Sequence, residues 1–191
     1  MITVAPAWWQ EVVHYLLGFC TGYMVYDAIF SMLIPNNFQI IDDDFMFFAH
    51  HVMTVFYMTS TRIVGAGHQS AMICMFLGEM SNPFHNFYYF LQESMKLSCC
   101  NGPLAQNAMY VTVFLFASSY AILRTFLGPI MTMFHASYDL LANGRKHIPL
   151  WLIFIYITLI WAVCLGSYPW IVESWKMLYP YFFYYEATAE L

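Results

Sequence analysis

The stretch Asp42-Asp43-Asp44-Phe45-Met46-Phe47-Phe48-Ala49-His50-His51-Val52-Met53-Thr54 decides how the rest of the chain is read. Three carboxylates precede an apolar run, where an acidic N-cap and first turn are favoured by the helix dipole. Two adjacent histidines then sit about one and a half turns into that run. In a lipid-embedded helix ionisable residues are costly and face a protein interior or a wet cavity. Function is therefore sought here first, provided that the helix lies in lipid.

Composition says that it does. The chain has 191 residues, 61% hydrophobic and 9% charged, with a mean hydropathy of +0.59. Soluble domains carry about 25% charged residues, so water could not solvate this surface. Tyr and Phe are abundant, as expected where amphipathic rings meet lipid headgroups. The net charge is −5 with six Lys and Arg, and without a basic patch nucleic acid is not an expected partner.

Working outward from the histidines gives about five apolar spans, each near the roughly 20 residues that cross a bilayer core. The first runs from about Val12 to Ile34 and ends at Pro35-Asn36-Asn37. The second follows the aspartates to about Arg62, and Gly65-Ala66-Gly67 turns the chain. The third extends from about Gln69 to Leu91, interrupted by Pro83. The fourth covers about Leu104 to Leu127, with a kink at Gly128-Pro129 and helix resuming to Leu141. Pro149 opens the fifth, which ends near Ser167-Tyr168-Pro169. The fold class is thus all-α, a polytopic transmembrane bundle forming one domain over residues 1–191. Its core is about 12–169, and residues 170–191 read as an aromatic interfacial tail.

The first ten residues lack a basic n-region, so no cleaved leader is expected and the first helix would serve as the targeting signal. Arg62, Arg145 and Lys146 fall on one side and Lys96 and Lys176 on the other, which leaves orientation undecided. Cys20, Cys74 and Cys164 lie in apolar segments and read as small apolar residues. Cys99-Cys100 reads as a pair of inert loop thiols, with palmitoylation the alternative.

Adjacent helical residues point about 100° apart, so His50 and His51 cannot face one spot. His50 shares a face with Thr54, and His51 with Val55 and Met58. One histidine is expected to face a cavity and the other to orient it or meet a neighbouring helix. The second polar group is Glu79, in Gly78-Glu79-Met80-Ser81-Asn82-Pro83-Phe84-His85-Asn86. Glu79, Asn82 and Asn86 follow an i, i+3, i+7 stripe, and Pro83 cannot donate to the Glu79 carbonyl. This stripe reads as a site or as a polar seam that glues helices. Arg124 lies deep in the fourth span, where it must pair, with Glu79 or Asp27, or hold an anionic ligand group. Gly18 and Gly22 beside Asp27 read as close-packing positions. His14, His68, His135 and His147 receive no role. With seven histidines and no His-x-x-His-His boxes, a di-iron hydroxylase is excluded and no metal is expected.

Taken in order, Gly22-Tyr23 with Asp27, His50-His51 with Thr54, Gly67, Gly78-Glu79-Met80-Ser81-Asn82-Pro83-Phe84 with Asn86, and Arg124 with Gly128-Pro129 resemble the TLC domain family. The resemblance covers roughly residues 15–167. It implies a helical bundle in a lipid-handling membrane, with one more span than is read here, so the first is expected to be missing. In the ceramide synthases of that family the histidine pair belongs to the acyl-transfer site, and His-Asp and Ser-Asp stand on a later helix. Here Gly78-Glu79 and Ser81-Asn82 occupy those places, which resembles the non-synthase members linked to membrane lipid composition.

Three functions follow as expectations. The leading one is lipid binding or lipid homeostasis in the endoplasmic reticulum membrane, with Asp27, Thr54, Asn82, Asn86 and Arg124 holding a headgroup and an acyl chain enclosed by the bundle. The second is acyl transfer from acyl-CoA, with His50 or His51 as nucleophile or base, Glu79 as partner and Arg124 as charge clamp. The third is a structural subunit of a larger assembly with other membrane subunits, in another organelle membrane. No intrinsic cofactor is expected, and acyl-CoA would enter only as substrate.

Overall fold

A computed structural model describes residues 5–33, 45–97 and 101–183. All regular structure among them is helical. The acidic cap Asp42–Asp44, the stop at Pro35-Asn36-Asn37 and the thiols Cys99-Cys100 lie outside the described residues.

Helix α1 is Ala7–Asp27, prolonged by π turns over Ala28–Leu33. It begins earlier than hydropathy indicates because Pro6 supplies an extended N-cap just before it. Helix α2 is Phe45–Val64. Gly65 and Gly67 end it with φ of 71° and 84°, a left-handed conformation that only glycine adopts without strain. Helices α3, His68–Glu79, and α4, Asn82–Ser94, replace the single third span. The break falls just before Asn82-Pro83 because proline suits the first turn of a new helix and not the interior of an old one.

Helix α5 is Pro103–Ile122, started by Gly102 and Pro103. The expected kink at Gly128-Pro129 takes the form of a widened helix. Leu123–Leu127 and Pro129–Ala136 are π-helical, and α6, Ser137–Ala142, follows. In the first of these turns the Gly128 N–H donates to the Leu123 carbonyl, and a Cβ on Gly128 would lie 3.0 Å from that oxygen. After a short 3-10 turn at Gly144–Lys146 come α7, Leu150–Gly166, and α8, Tyr168–Phe183.

Three helical stretches are long and apolar enough to cross a membrane among the described residues: Ala7–Phe30, Pro103–Lys146 and Leu150–Tyr179. The second and third expected spans form helices but miss that mark. His50, His51 and Arg62 dilute α2, and the break after Glu79 divides α3 from α4.

The contacts divide the chain into two compact units. The first unit gathers the described residues up to Met75 with Met131–Gly166. Its core joins Leu17 and Met24 of α1, Tyr57 and Met58 of α2, Leu140 of α6, and Ile153 and Tyr156 of α7. Tyr57 and Tyr156 pack ring on ring at 4.5 Å, and Tyr156 donates to the Ser60 hydroxyl. The second unit gathers Phe76–Ile130 and the described residues from Ser167 on. There α5 packs on both α4 and α8. The stretch read as an interfacial tail is therefore helical as far as Phe183, with Ser174 and Leu178 buried and Leu178 packed with Ala117 and Ala121 of α5.

Candidate functional site

Of the histidine pair, which lies in the first unit, His51 is buried, 7% exposed, while His50 is half-buried. One turn back along α2 the Phe47 carbonyl lies 2.7 Å from Nδ1 of His51, and Asp27 Oδ2 of α1 lies 2.9 Å from Nε2. A carbonyl oxygen can only accept, so Nδ1 carries a hydrogen. The remaining proton is shared between Nε2 and the Asp27 carboxyl. The pair is thus neutral as a whole, whichever partner holds that proton, which is how an ionisable pair is tolerated in an apolar surround. His50 meets His51 edge-on with ring centroids 5.6 Å apart. Thr54 donates to the His50 carbonyl at 2.8 Å, so its hydroxyl serves its own helix.

Arg62 was missed as a functional candidate. Its Nε donates to the Met58 carbonyl at 3.3 Å and its Nη2 to the Thr21 hydroxyl at 3.2 Å. Nη1 sits 3.2 Å from where a Cβ on Gly18 would be. Gly18 is thus the close-packing position foreseen, whereas nothing lies within 4 Å of a Cβ at Gly22. The small residue at Gly18, facing a helix with one arginine, was the available signal.

The second unit holds Glu79, Asn82, Asn86 and Arg124. Across the α3–α4 break the Asn82 amide donates to Glu79. Glu79 and Asn82 therefore meet across the break, and Asn86 lies one turn further along α4. Asn86 is exposed. Arg124 does not pair with either carboxylate proposed for it, and no ion pair among the described residues includes it. Asp27 instead holds His51 in the first unit. Arg124 donates from Nη2 to the Gly78 carbonyl at 2.7 Å and from Nη1 to the Ser167 hydroxyl at 3.5 Å. Its guanidinium lies over the Tyr120 ring, 5.4 Å from the centroid. Its Nε is buried without a hydrogen-bond partner. The break that frees backbone acceptors near Pro83 explains the choice of a carbonyl over a carboxylate. Tyr120 and Ser167 are the supporting residues that the sequence did not announce.

The predicted site residues thus resolve into two sets, Asp27 with His50, His51 and Thr54, and Glu79 with Asn82 and Arg124, each coherent within its own unit. Among the described residues no three His, Cys, Asp or Glu side chains are grouped to hold a metal ion.

The model of the TLC domain matches residues 4–176. The chain belongs to the TLC domain family. With its apolar helical stretches this makes it an integral membrane protein of a lipid-related family. No curated protein and no solved structure matched the chain. The TLC match covers both sets of polar residues, so the histidine pair and the Glu79–Arg124 region are parts of the family domain.

Proposed function

We propose that this TLC-domain protein binds membrane lipid and acts in lipid homeostasis, in the endoplasmic reticulum membrane, without catalysing acyl transfer. The observation that carries this reading is the double engagement of His51. A nucleophilic or general-base imidazole needs a nitrogen whose lone pair faces the substrate. Here the Phe47 carbonyl occupies Nδ1 and Asp27 occupies Nε2. The residues where ceramide synthases carry their aspartates support the same view, since Asn82 cannot ionise and binds Glu79. Polar groups buried among apolar helices then serve as headgroup ligands, and acyl-CoA is not consumed.

The test is native mass spectrometry of the full chain after gentle detergent extraction, paired with incubation with acyl-CoA and a long-chain amine. The expected result is a stoichiometric lipid that survives incubation unchanged. Acyl transfer abolished by His50→Ala or His51→Ala would overturn the reading in favour of the enzyme. A lipid-free chain that always co-purifies with the same membrane proteins would overturn it in favour of a structural subunit.

A further inference from the structure

The turn that joins α6 to α7 carries Arg145, Lys146 and His147, all three exposed. Its depth is fixed from both sides. The stretches Pro103–Lys146 and Leu150–Tyr179, each long and apolar enough to cross a membrane, meet here. Beyond Pro149 the apolar surface starts at once, with Leu150 57% and Trp151 64% exposed and no charged residue in α7. Basic side chains followed directly by an exposed indole are typical of the headgroup layer.

The turn that ends α2 lies beside this one. Cδ1 of Ile148 is 3.4 Å from where a Cβ on Gly67 would be and 3.5 Å from one on Gly144, so a single side chain bridges the two turns. Arg62 and His68 flank the first of them. The start of α1 belongs to the same end, because α1 and α2 run antiparallel. Asp27 bonds His51 toward one end of the pair, and Gly18 adjoins Arg62 toward the other. The exposed Trp8 and Trp9 thus share this end with Trp151.

The cations here are not neutralised. Among the described residues no ion pair includes Arg62, Arg145 or Lys146. Of the carboxylates nearby, Asp139 accepts from the Asn143 amide at 2.7 Å, and Glu11 is exposed on α1. His68 is held below the ordinary histidine value, by burial first and then by positive charge that includes His14 and Arg62. Every charge acting on that ring from the described residues is positive. The second unit supplies the contrast, since Lys96 and Lys176 each hold a glutamate three residues back at 2.6 Å.

We propose that this end of the first unit is a docking surface for anionic phospholipid, whose phosphates meet Arg145 and Lys146 with the positive field of Arg62 behind them. It goes beyond the lipid-homeostasis reading, whose ligands are buried polar groups. The partner is lipid rather than an acidic protein because the turn sits at headgroup depth between two apolar stretches. Phosphate accepts from both side chains, and each Lys or Arg at an anionic membrane surface favours binding about fivefold.

For the test, the full chain is purified in mixed micelles holding equal dioleoyl phosphatidylglycerol and dioleoyl phosphatidylcholine, which share chains and differ in net charge. Retained lipid is extracted and counted by mass spectrometry. Phosphatidylglycerol is expected in about fivefold excess or more. The excess should fall at about 1 M salt, where charges are screened beyond about 3 Å. Arg145→Gln with Lys146→Gln should bring the ratio near parity. Arg145→Lys with Lys146→Arg keeps both charges and should keep the excess. Lys96→Gln and Lys176→Gln remove cations that are already paired and should leave it unchanged. Parity in the unaltered chain would overturn the proposal, as would an excess that survives the double glutamine variant or one lost equally in Lys96→Gln. A stoichiometric lipid kept without any anionic excess sinks this proposal and leaves lipid homeostasis standing. An anionic excess on a chain that transfers acyl groups does the reverse.

Discussion

Nε2 of His51 lies 2.9 Å from a carboxylate oxygen of Asp27, two residues 24 positions apart that join α2 to α1. Removing the carboxylate would leave a buried ring nitrogen without its partner. Asp27→Ala is expected to destabilise the chain by about 1–3 kcal/mol, the usual cost of a stranded buried polar group. Asp27→Asn keeps a side chain that can hydrogen-bond either form of the ring and should cost less. Thermal unfolding in detergent ranks the two, and equal melting temperatures for Asp27→Ala and the unaltered chain would contradict the argument.

Gly18 and Arg62 should be energetically coupled. With Nη1 of Arg62 3.2 Å from a Cβ at Gly18, Gly18→Val must displace the guanidinium from Thr21. The single change should cost about 1–3 kcal/mol through overpacking. In an Arg62→Ala background the added side chain has room, so its cost should shrink. A double-mutant cycle is expected to return a coupling of about 0.5–3 kcal/mol, and strict additivity would show that the two do not touch.

The two glycines that close α2 differ in a measurable way. Both have positive φ, so alanine at either is expected to cost about 1–2 kcal/mol. At Gly65 nothing lies within 4 Å of the new methyl, whereas at Gly67 it meets Thr61 at 3.1 Å and Ile148 at 3.4 Å. Gly67→Ala should therefore lower the melting temperature further than Gly65→Ala. The reverse order would count against this packing.

Gly128→Ala tests the π-helical segment. The new methyl would stand 3.0 Å from the Leu123 backbone oxygen, which cannot rotate away as a side chain can. A loss of about 1–3 kcal/mol is expected, together with faster amide hydrogen exchange confined to residues around 123–136. Unchanged exchange in that segment would mean that the widened turns tolerate a side chain.

Much of this was legible in the sequence because hydropathy and helix breakers act locally. The helices and the glycine turn at 65–67 follow from spacing, and the rarity of charge singles out Asp27 and His51, which the fold joins. The partners of Arg124 did not follow. Opposite charges invite pairing on paper, but Pro83 opens a helix break whose carbonyls compete for the guanidinium, and the Gly78 carbonyl is the acceptor taken. The π turns were invisible for a related reason. Gly128-Pro129 signals a disturbed helix, yet whether the chain bends or widens depends on packing from residues distant in sequence. Of the stripe Glu79, Asn82, Asn86 the first two are bonded to each other, while Asn86 is exposed.

The ring pair of Tyr57 and Tyr156, with the bond from Tyr156 to Ser60 spanning 96 positions, also sets a timetable for biogenesis. A ribosome adding about 5–20 residues per second delivers α2 roughly 5–20 s before the helix that completes its seat. During that interval the polar face of α2 has no permanent neighbour from α7. Insertion machinery must therefore hold an unfinished bundle, and a stalled or shortened chain ending before Tyr156 would present the quality-control system with α2 lacking its final partner.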